Sequence, residues 1–383
     1  MKGKKNIVVI TDWFAPGYKA GGPIQSCVNF CMAMRGEYEI CVITSDTDLN
    51  ESEPYPTIES NKWNKTLIPS VNIYYFSKSQ LRYRKLMTVI NEAKPDFIYL
   101  NHMFSFWFVI VPLWMWWKGR IKSKMILCPR GALFDSAMHH KKSFVKKFFF
   151  LKIFRWLRVF KEIRFHATNE NERTAIKRYF PTDKIIVANN FPNRIQTEFT
   201  GIKKRYGHIN VIFIARILPI KNLLLAIQIL SKVRVLVTFT IVGPIEDELY
   251  WQECQASIRH LPENIDIKYL GAKNNHELNP ILKQNHLYLL PTRGENFGHS
   301  IFEAFLAGRP VLISDQTPWR NLTEQKIGWD ISLDKIDDFV NTIEIAGNWE
   351  QEEFDEYAYL AWNFAKEFNG QSNEIRSYKE LFS

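Results

Sequence analysis

The sequence predicts an α/β protein built from two Rossmann-like domains, each a parallel sheet covered by helices, that face a central cleft, with C-terminal helices packing across both. Three observations predict this. The chain has 383 residues, above the roughly 250–300 at which a single hydrophobic core stops growing. Short β-rich apolar runs alternate with longer helical patterns from end to end, which is the sequence form of a helix-covered parallel sheet. That alternation breaks once and then restarts.

The strands expected in the first half are Ile7–Ile10, Ile40–Thr44, Val71–Phe76, Phe97–Leu100, Met125–Cys128 and Ile185–Val187. The pattern breaks over Asn189–Gly207, where Pro192, Gly201 and several charges fall, so the domain boundary is placed there. Strands resume at Asn210–Ala215, Leu236–Val242, Ile265–Leu270, His286–Leu290 and Pro310–Ser314. Phe354, Tyr357, Ala361, Phe364 and Phe368 recur at helical spacing in the tail. The expected organisation is residues 1–190 as a first Rossmann-like domain, 191–207 as a linker, 208–349 as a second Rossmann-like domain and 350–383 as helices returning toward the first.

Composition excludes several classes. An apolar share of 46% with no low-complexity segment argues against disorder. Five scattered cysteines fit buried thiols in a reducing compartment rather than a disulfide framework. Cys27 and Cys31 lie one helical turn apart but lack a second pair, and are read as core. The apolar run near the start, Ile7–Ile10, is too short for a signal peptide and reads as a first strand. The most apolar window, Phe104–Trp117, contains Pro112 and falls short of the ~20 residues needed to cross a bilayer, so a buried or interfacial helix is expected.

The chemistry concentrates in Leu287–Trp319. There the strand LYLL ends in the loop PTRGENFG, a helix begins near Gly298, and the strand PVLIS follows Gly308 and Arg309. Ligands of open parallel sheets bind at the carboxyl ends of the strands, where this loop lies. Gly298 allows close backbone approach, and the amides of the helix start favour a diphosphate. Glu295 and Glu303 are thereby offset along one ligand, so one carboxylate can hold a sugar and the other a ribose. Upstream, VIFIA leads into RILPIKN, which puts Arg216 at a strand end and Lys221 near the next helix start. Two cations there suit a leaving diphosphate. We read no Asp-x-Asp triad after a strand as arguing for a metal-dependent site, and neither a metal nor a cofactor is expected.

With these motifs in order along most of its length, the chain resembles the retaining glycosyltransferases of family 4, which have the GT-B fold. Glu295 and Glu303 match the family's pair of glutamates with seven residues between them, Arg216 and Lys221 its Arg-Lys pair, and Gly21 and Gly22 its glycine-rich loop after the first strand. Ile241–Pro244, with Gly243, and Tyr269–Gly271 resemble its base-side loops. The resemblance implies that Glu295 contacts the donor sugar, Glu303 the ribose hydroxyls, and Arg216 and Lys221 the diphosphate. Arg216, Lys221 and Glu295 are accordingly the catalytic candidates, and Gly22, Gly243, Asn296, Phe297, Gly298 and Glu303 the donor-binding ones. One position departs: where many members carry a histidine after the fifth strand, this chain has Arg130 after Pro129, in a PRG version that looks like a subgroup associated with surface polysaccharides. His102 and Arg130 are the acceptor-side candidates.

Residues Lys141–Arg164 carry a net +8 of the whole chain's +10. Read as a helix, Val145, Phe149, Ile153, Trp156 and Phe160 form a stripe suited to core contact. The opposite side mixes Lys147, Arg155, Arg158 and Lys161 with Phe144, Phe148, Leu151 and Phe154, which suits an anionic membrane surface. No nucleic-acid module accompanies the charge, so nucleic acid is not expected as a partner. His139 and His140 beside the run are read as surface residues.

The expected function is therefore transfer of a sugar from a nucleotide-diphosphate sugar, with retention, to a glycan or lipid-linked acceptor in bacterial cell-surface polysaccharide or lipopolysaccharide synthesis. The enzyme is expected in the cytoplasm, peripheral on the inner face of the membrane. Two rivals share the architecture: a sugar-nucleotide epimerase, which turns over donor without acceptor, and a catalytically inactive membrane-associated interaction protein.

Overall fold

The computed structural model describes residues 4–65, 67–134, 138, 144–156, 159–193, 198–370 and 373–383. The chain divides into two compact units, one comprising Met1–Phe191 with Ser372–Ser383 and the other Pro192–Gln371.

The first unit carries an eight-stranded sheet. Its strands are β1 (Asn6–Thr11), β2 (Glu39–Ser45), β3 (Trp63–Asn64), β4 (Val71–Phe76), β5 (Phe97–Asn101), β6 (Lys124–Cys128), β7 (Arg164–Ala167) and β8 (Ile185–Val187), in the order β3-β4-β2-β1-β5-β6-β7-β8. Every pairing is parallel except β3 with β4. Because strand side chains alternate between faces, Ile7 and Val9 enter one core while Val8 and Ile10 enter another. The first core is closed by α1 (Gly22–Met34), through Cys27, Phe30, Cys31 and Met34, and by α12 (Asn373–Leu381), through Tyr378 and Leu381. The second core is closed by α2 (Tyr83–Glu92), α3 (Val111–Trp117), α4 (Phe144–Trp156) and α5 (Glu170–Tyr179). All five cysteines are buried free thiols, in line with the core reading.

The second unit is a six-stranded parallel sheet made of β9 (His208–Ile214), β10 (Leu236–Val242), β11 (Ile265–Tyr269), β12 (Leu287–Leu290), β13 (Val311–Ser314) and β14 (Gly328–Ile331), in the order β11-β10-β9-β12-β13-β14. Its helices are α6 (Leu223–Leu230), α7 (Glu248–Ile258), α8 (Asn275–Lys283), α9 (His299–Leu306), α10 (Ile336–Gly347) and α11 (Gln351–Gly370). Phe354, Ala358, Ala361 and Ala365 of α11 lie in this unit's core, so that helix stays with the second unit and only α12 packs on the first.

Three strands escape the sequence pattern. β3 is two residues long, β7 sits at the end of the basic run, and β14 holds Gly328 and Asp330. Each is defined by the strand beside it rather than by its own apolar periodicity. The window Phe104–Trp117 forms a π-helical turn over Phe106–Ile110 that runs into α3, with Phe108, Val109, Leu113 and Met115 buried and Phe106, Trp114 and Trp117 exposed. Among the described residues no helix is long and apolar enough to cross a membrane.

Candidate active site

In the second unit the strand order runs outward in both directions from the neighbours β9 and β12. Ligands of open parallel sheets bind where the order reverses, outside the carboxyl ends of the strands. The β9 loop carries Arg216 and Lys221, and the β12 loop carries Glu295.

Gly243 sets the first edge. It stands at φ +146°, and a Cβ there would meet the Ala215 carbonyl oxygen at 1.9 Å, so only glycine lets the loops after β9 and β10 touch. Ile217 N donates to Pro244 O at 2.9 Å and locks them together. The Tyr269 hydroxyl donates to Gly243 O at 2.9 Å. Across this contact Arg216 Nη1 donates to Glu246 Oε2 at 2.6 Å.

Lys221 ends the short turn Pro219–Lys221, and Asn222 follows in the left-handed region at φ +61°. Buried Asn222 Nδ2 donates to Pro291 O at 2.9 Å, Arg293 N donates to Ile220 O at 2.8 Å, and Thr292 Oγ1 donates to the same carbonyl at 3.1 Å. These bonds fasten the two loops side by side, and Lys221 Nζ forms an ion pair with Glu295 Oε1. Both side chains are mostly covered, at 17% and 11% exposure. The Glu295 amide is held by Gln316 O at 3.0 Å.

Gly298 begins α9 at φ +77°, a conformation that favours glycine. Phe297 before it turns inward: its ring lies 5.3 Å from that of Trp319, and its carbonyl accepts from Trp319 Nε1 at 2.5 Å. Its side chain is therefore a packing group, and only its backbone faces the loop. Asn296 is partly buried in the same loop.

Glu303 lies further along α9. Among the described residues its partly buried carboxylate makes no hydrogen bond and no ion pair, and burial alone pushes it up to about 7. Tyr288 of β12 joins the parts: its hydroxyl donates to Ile214 O at 3.2 Å and meets Ser300 Oγ at 2.7 Å. Glu295 and Glu303 both raise the Tyr288 phenol further, after burial, so the two glutamates share its surroundings. Neither Tyr288 nor Glu246 was marked by the sequence, because one sits inside an apolar strand and the other inside an ordinary acidic helix start.

Residues 195–360, less than half of the chain, match the sequence model of the family described as glycosyl transferases group 1. By sequence no curated protein matches. Among solved structures, Anabaena HepE in complex with UDP and glucose is 17% identical, with 98% of this chain and 100% of that chain covered at a TM-score of 0.67. WaaG, a glycosyltransferase involved in lipopolysaccharide biosynthesis, is 12% identical over 98% of both chains at 0.65. Sucrose-phosphate synthase from Thermosynechococcus elongatus is 12% identical over 99% of this chain and 99% of that one at 0.63. The fold is GT-B.

In the first unit of this GT-B chain the strand order reverses between β1 and β5. Gly21 caps α1 at φ +66°, Gly22 opens the helix and Pro23 follows. Asp12, after β1, accepts from Ser105 Oγ at 2.6 Å, and burial raises its carboxyl. His102, after β5, stands at φ +115°, with its amide on Cys128 O at 3.0 Å and its Nδ1 accepting from Phe104 N at 3.3 Å. Arg130, after β6, stands at φ +56° and donates to Asn101 Oδ1 at 2.6 Å, to the Tyr99 hydroxyl at 3.0 Å and to Asn190 Oδ1. His102 and Arg130 thus occupy neighbouring strand ends, as paired β5 and β6 require.

One Asp-x-Asp triplet follows a strand, Asp46-Thr47-Asp48 after β2. Its carboxylates are engaged by Ser60 Oγ at 2.6 Å, by the Tyr18 and Lys19 amides at 2.8 and 3.1 Å, and by the Leu49 amide at 2.8 Å. They brace the loop.

The basic helix is turned the other way round. Leu151 and Phe154 are buried, whereas Phe149 and Ile153, assigned to the core stripe, are 62% and 53% exposed. Phe160 is buried as expected. Lys147 is half-buried over the Phe104 ring, 5.4 Å from its centroid, so it does not sit on the open side. Arg155 and Lys161 are exposed. Both faces of this helix are apolar, so periodicity could not choose between them. Arg158, His139 and His140 lie outside the described residues, as do the side chains of Phe144, Val145 and Trp156.

Proposed function

We propose that this chain is a retaining glycosyltransferase that moves a sugar from a nucleotide-diphosphate sugar to a glycan or lipid-linked acceptor in cell-surface polysaccharide synthesis. The observation that carries the reading is the fastening of the loops after β9 and β12 side by side. They bring Arg216, Lys221 and Glu295 to the carboxyl ends of adjacent strands, and unpartnered Glu303 follows in α9. HepE, of the same fold, is described in complex with UDP-glucose, which supports a uridine nucleotide as the first donor to test.

The reaction breaks the bond from the sugar's anomeric carbon to the donor phosphate and forms one to an acceptor hydroxyl on the same face. Negative charge gathers on the departing diphosphate, and the acceptor proton passes to it. Arg216 and Lys221 stabilise that charge, which is the largest electrostatic contribution to such a step. They supply what a metal ion supplies in other transferases. Binding exchanges partners: Lys221 moves from Glu295 to phosphate, which leaves Glu295 to accept from the sugar hydroxyls. Glu303, with no protein partner to give up, accepts from the ribose. Gly298 and the first amides of α9 receive phosphate oxygens.

On the cytoplasmic side of the membrane, the face of α4 carrying Phe148, Phe149 and Ile153 beside Lys152 and Arg155 rests on anionic lipid. Apolar groups enter the interface there while each cation contributes about 1 kcal/mol.

The test is a panel of nucleotide sugars incubated with the protein and a lipid-linked acceptor, read by mass spectrometry. Transfer from one donor is expected. Absence of both binding and turnover across the panel sinks the proposal.

A further inference from the structure

We propose that Arg130 forms an oxyanion subsite in the first unit that holds a phosphate or carboxylate group of the acceptor, so that the acceptor is anionic. The inference rests on the transferase reading only for the word acceptor; the subsite itself is argued from the residues around the guanidinium.

Three side chains hold Arg130, two from β5 and one from the segment after β8. Its Nε donates to Asn101 Oδ1 at 2.6 Å, its Nη2 to the Tyr99 hydroxyl at 3.0 Å, and its Nη1 to Asn190 Oδ1. All three partners are neutral. The tautomers follow from the network. Tyr99 Oη accepts from Arg130, so its proton goes to His166 Nδ1 at 2.7 Å, and His166 Nε2 donates to Ala188 O at 2.7 Å. Burial pushes His166 down to about 3, so the ring stays uncharged. The chain of hydrogen bonds therefore ends on a carbonyl and brings no anion to Arg130.

Among the described residues no carboxylate forms an ion pair with Arg130. Glu172, fully buried nearby, is already occupied by the Gly131 amide at 2.6 Å, the Thr168 amide at 2.7 Å and the Thr168 hydroxyl at 2.6 Å. A cation drawn out of water without a paired anion is costly unless something returns the lost charge interaction. Arg130 also holds a left-handed backbone beside His102, another non-glycine residue at positive φ, and such pairs of outliers persist where the surroundings impose them.

The open valences define the ligand. A guanidinium has five N–H groups, and three are used. The remaining two lie on different terminal nitrogens, which is the fork that matches two oxygens of one phosphate or carboxylate. Part of the Arg130 surface remains accessible, and the group stands at the carboxyl edge of the sheet, one strand from the β1–β5 reversal where ligands of such sheets bind.

The test separates this subsite from the donor site. Pyrophosphate and glucuronate are titrated by calorimetry into full-length Arg216→Ala/Lys221→Ala protein, and into the same protein carrying Arg130→Gln. At least one anion is expected to bind the double variant and to lose about tenfold in affinity with Arg130→Gln. Pyrophosphate as the binder marks a phosphate ester, and glucuronate marks an acidic sugar. An Arg130→Lys version, which keeps the charge without the fork, is expected to fall between, and it carries the comparison if the glutamine variant does not fold. Equal affinities with and without Arg130 overturn the subsite, as does a tenfold loss of UDP affinity when Arg130→Gln is made in the wild-type chain. Because binding is read without turnover, a failed donor panel removes the transferase reading and leaves this result standing.

Discussion

Lys221 and Glu295, 74 positions apart, form an ion pair in which both side chains are mostly covered. Two groups proposed to have separate tasks toward a sugar diphosphate are thus each other's partner in the protein. Removing one leaves the other covered and uncompensated. Lys221→Ala is expected to lower kcat by about 10²–10³-fold and stability by about 1–3 kcal/mol. Glu295→Gln should cost less stability, because a lysine at this depth can still reach water. Urea denaturation of both single variants and the double, with initial rates, checks the coupling; strict additivity would mean that the pair has no energetic content.

Arg216 and Glu246 are more open, at 28% and 30% exposure. Such a pair contributes about 0.2–1 kcal/mol. Glu246→Gln is expected to release Arg216 for the diphosphate and to tighten UDP binding about two- to fivefold, measured by calorimetry. Weaker binding in the variant would show that Glu246 orients Arg216 rather than competing for it.

Glu303 gives a pH signature. Its carboxyl is raised to about 7 in the folded chain, so its contribution to stability is present below the ordinary carboxylate range and is lost as pH rises through 7. Glutamine cannot ionise. Glu303→Gln should therefore match the wild type near pH 5 and exceed it at pH 8 by on the order of 1–2 kcal/mol, the partial exposure reducing the full effect. Donor affinity should meanwhile fall about tenfold through loss of a charged acceptor. Denaturation midpoints at the two pH values decide it, and a variant less stable than wild type at pH 8 would contradict the assignment.

The orientation of α4 separates two substitutions of similar chemistry. Phe149→Asp with Ile153→Asp falls on exposed positions and should reduce binding to anionic vesicles by at least about tenfold while leaving the melting temperature near that of the wild type. Leu151→Asp falls in the core and should cost about 3 kcal/mol or more. Co-sedimentation with vesicles and thermal melts together test this. Unchanged vesicle binding by the first variant would remove the membrane role.

Much of this was legible along the chain, and the reason is local. Strands such as Ile7–Ile10 and Ile40–Thr44 declare themselves because both faces of a covered parallel sheet are buried and mostly apolar. Gly243 and Gly298 are legible because both stand at positive φ, where a Cβ at Gly243 would also strike the Ala215 carbonyl and one at Gly298 the Ile301 side chain. The spacing of Glu295 and Glu303 and the order of Arg216 and Lys221 were likewise visible as sequence. What the tertiary structure decided is pairing between distant segments: Lys221 with Glu295, Arg216 with Glu246, Arg130 with Asn101, Tyr99 and Asn190, and the side of α4 that turns inward. No local preference encodes these. They depend on which strands lie side by side, and β9 meets β12, like β5 meets β6, only once the whole sheet has formed.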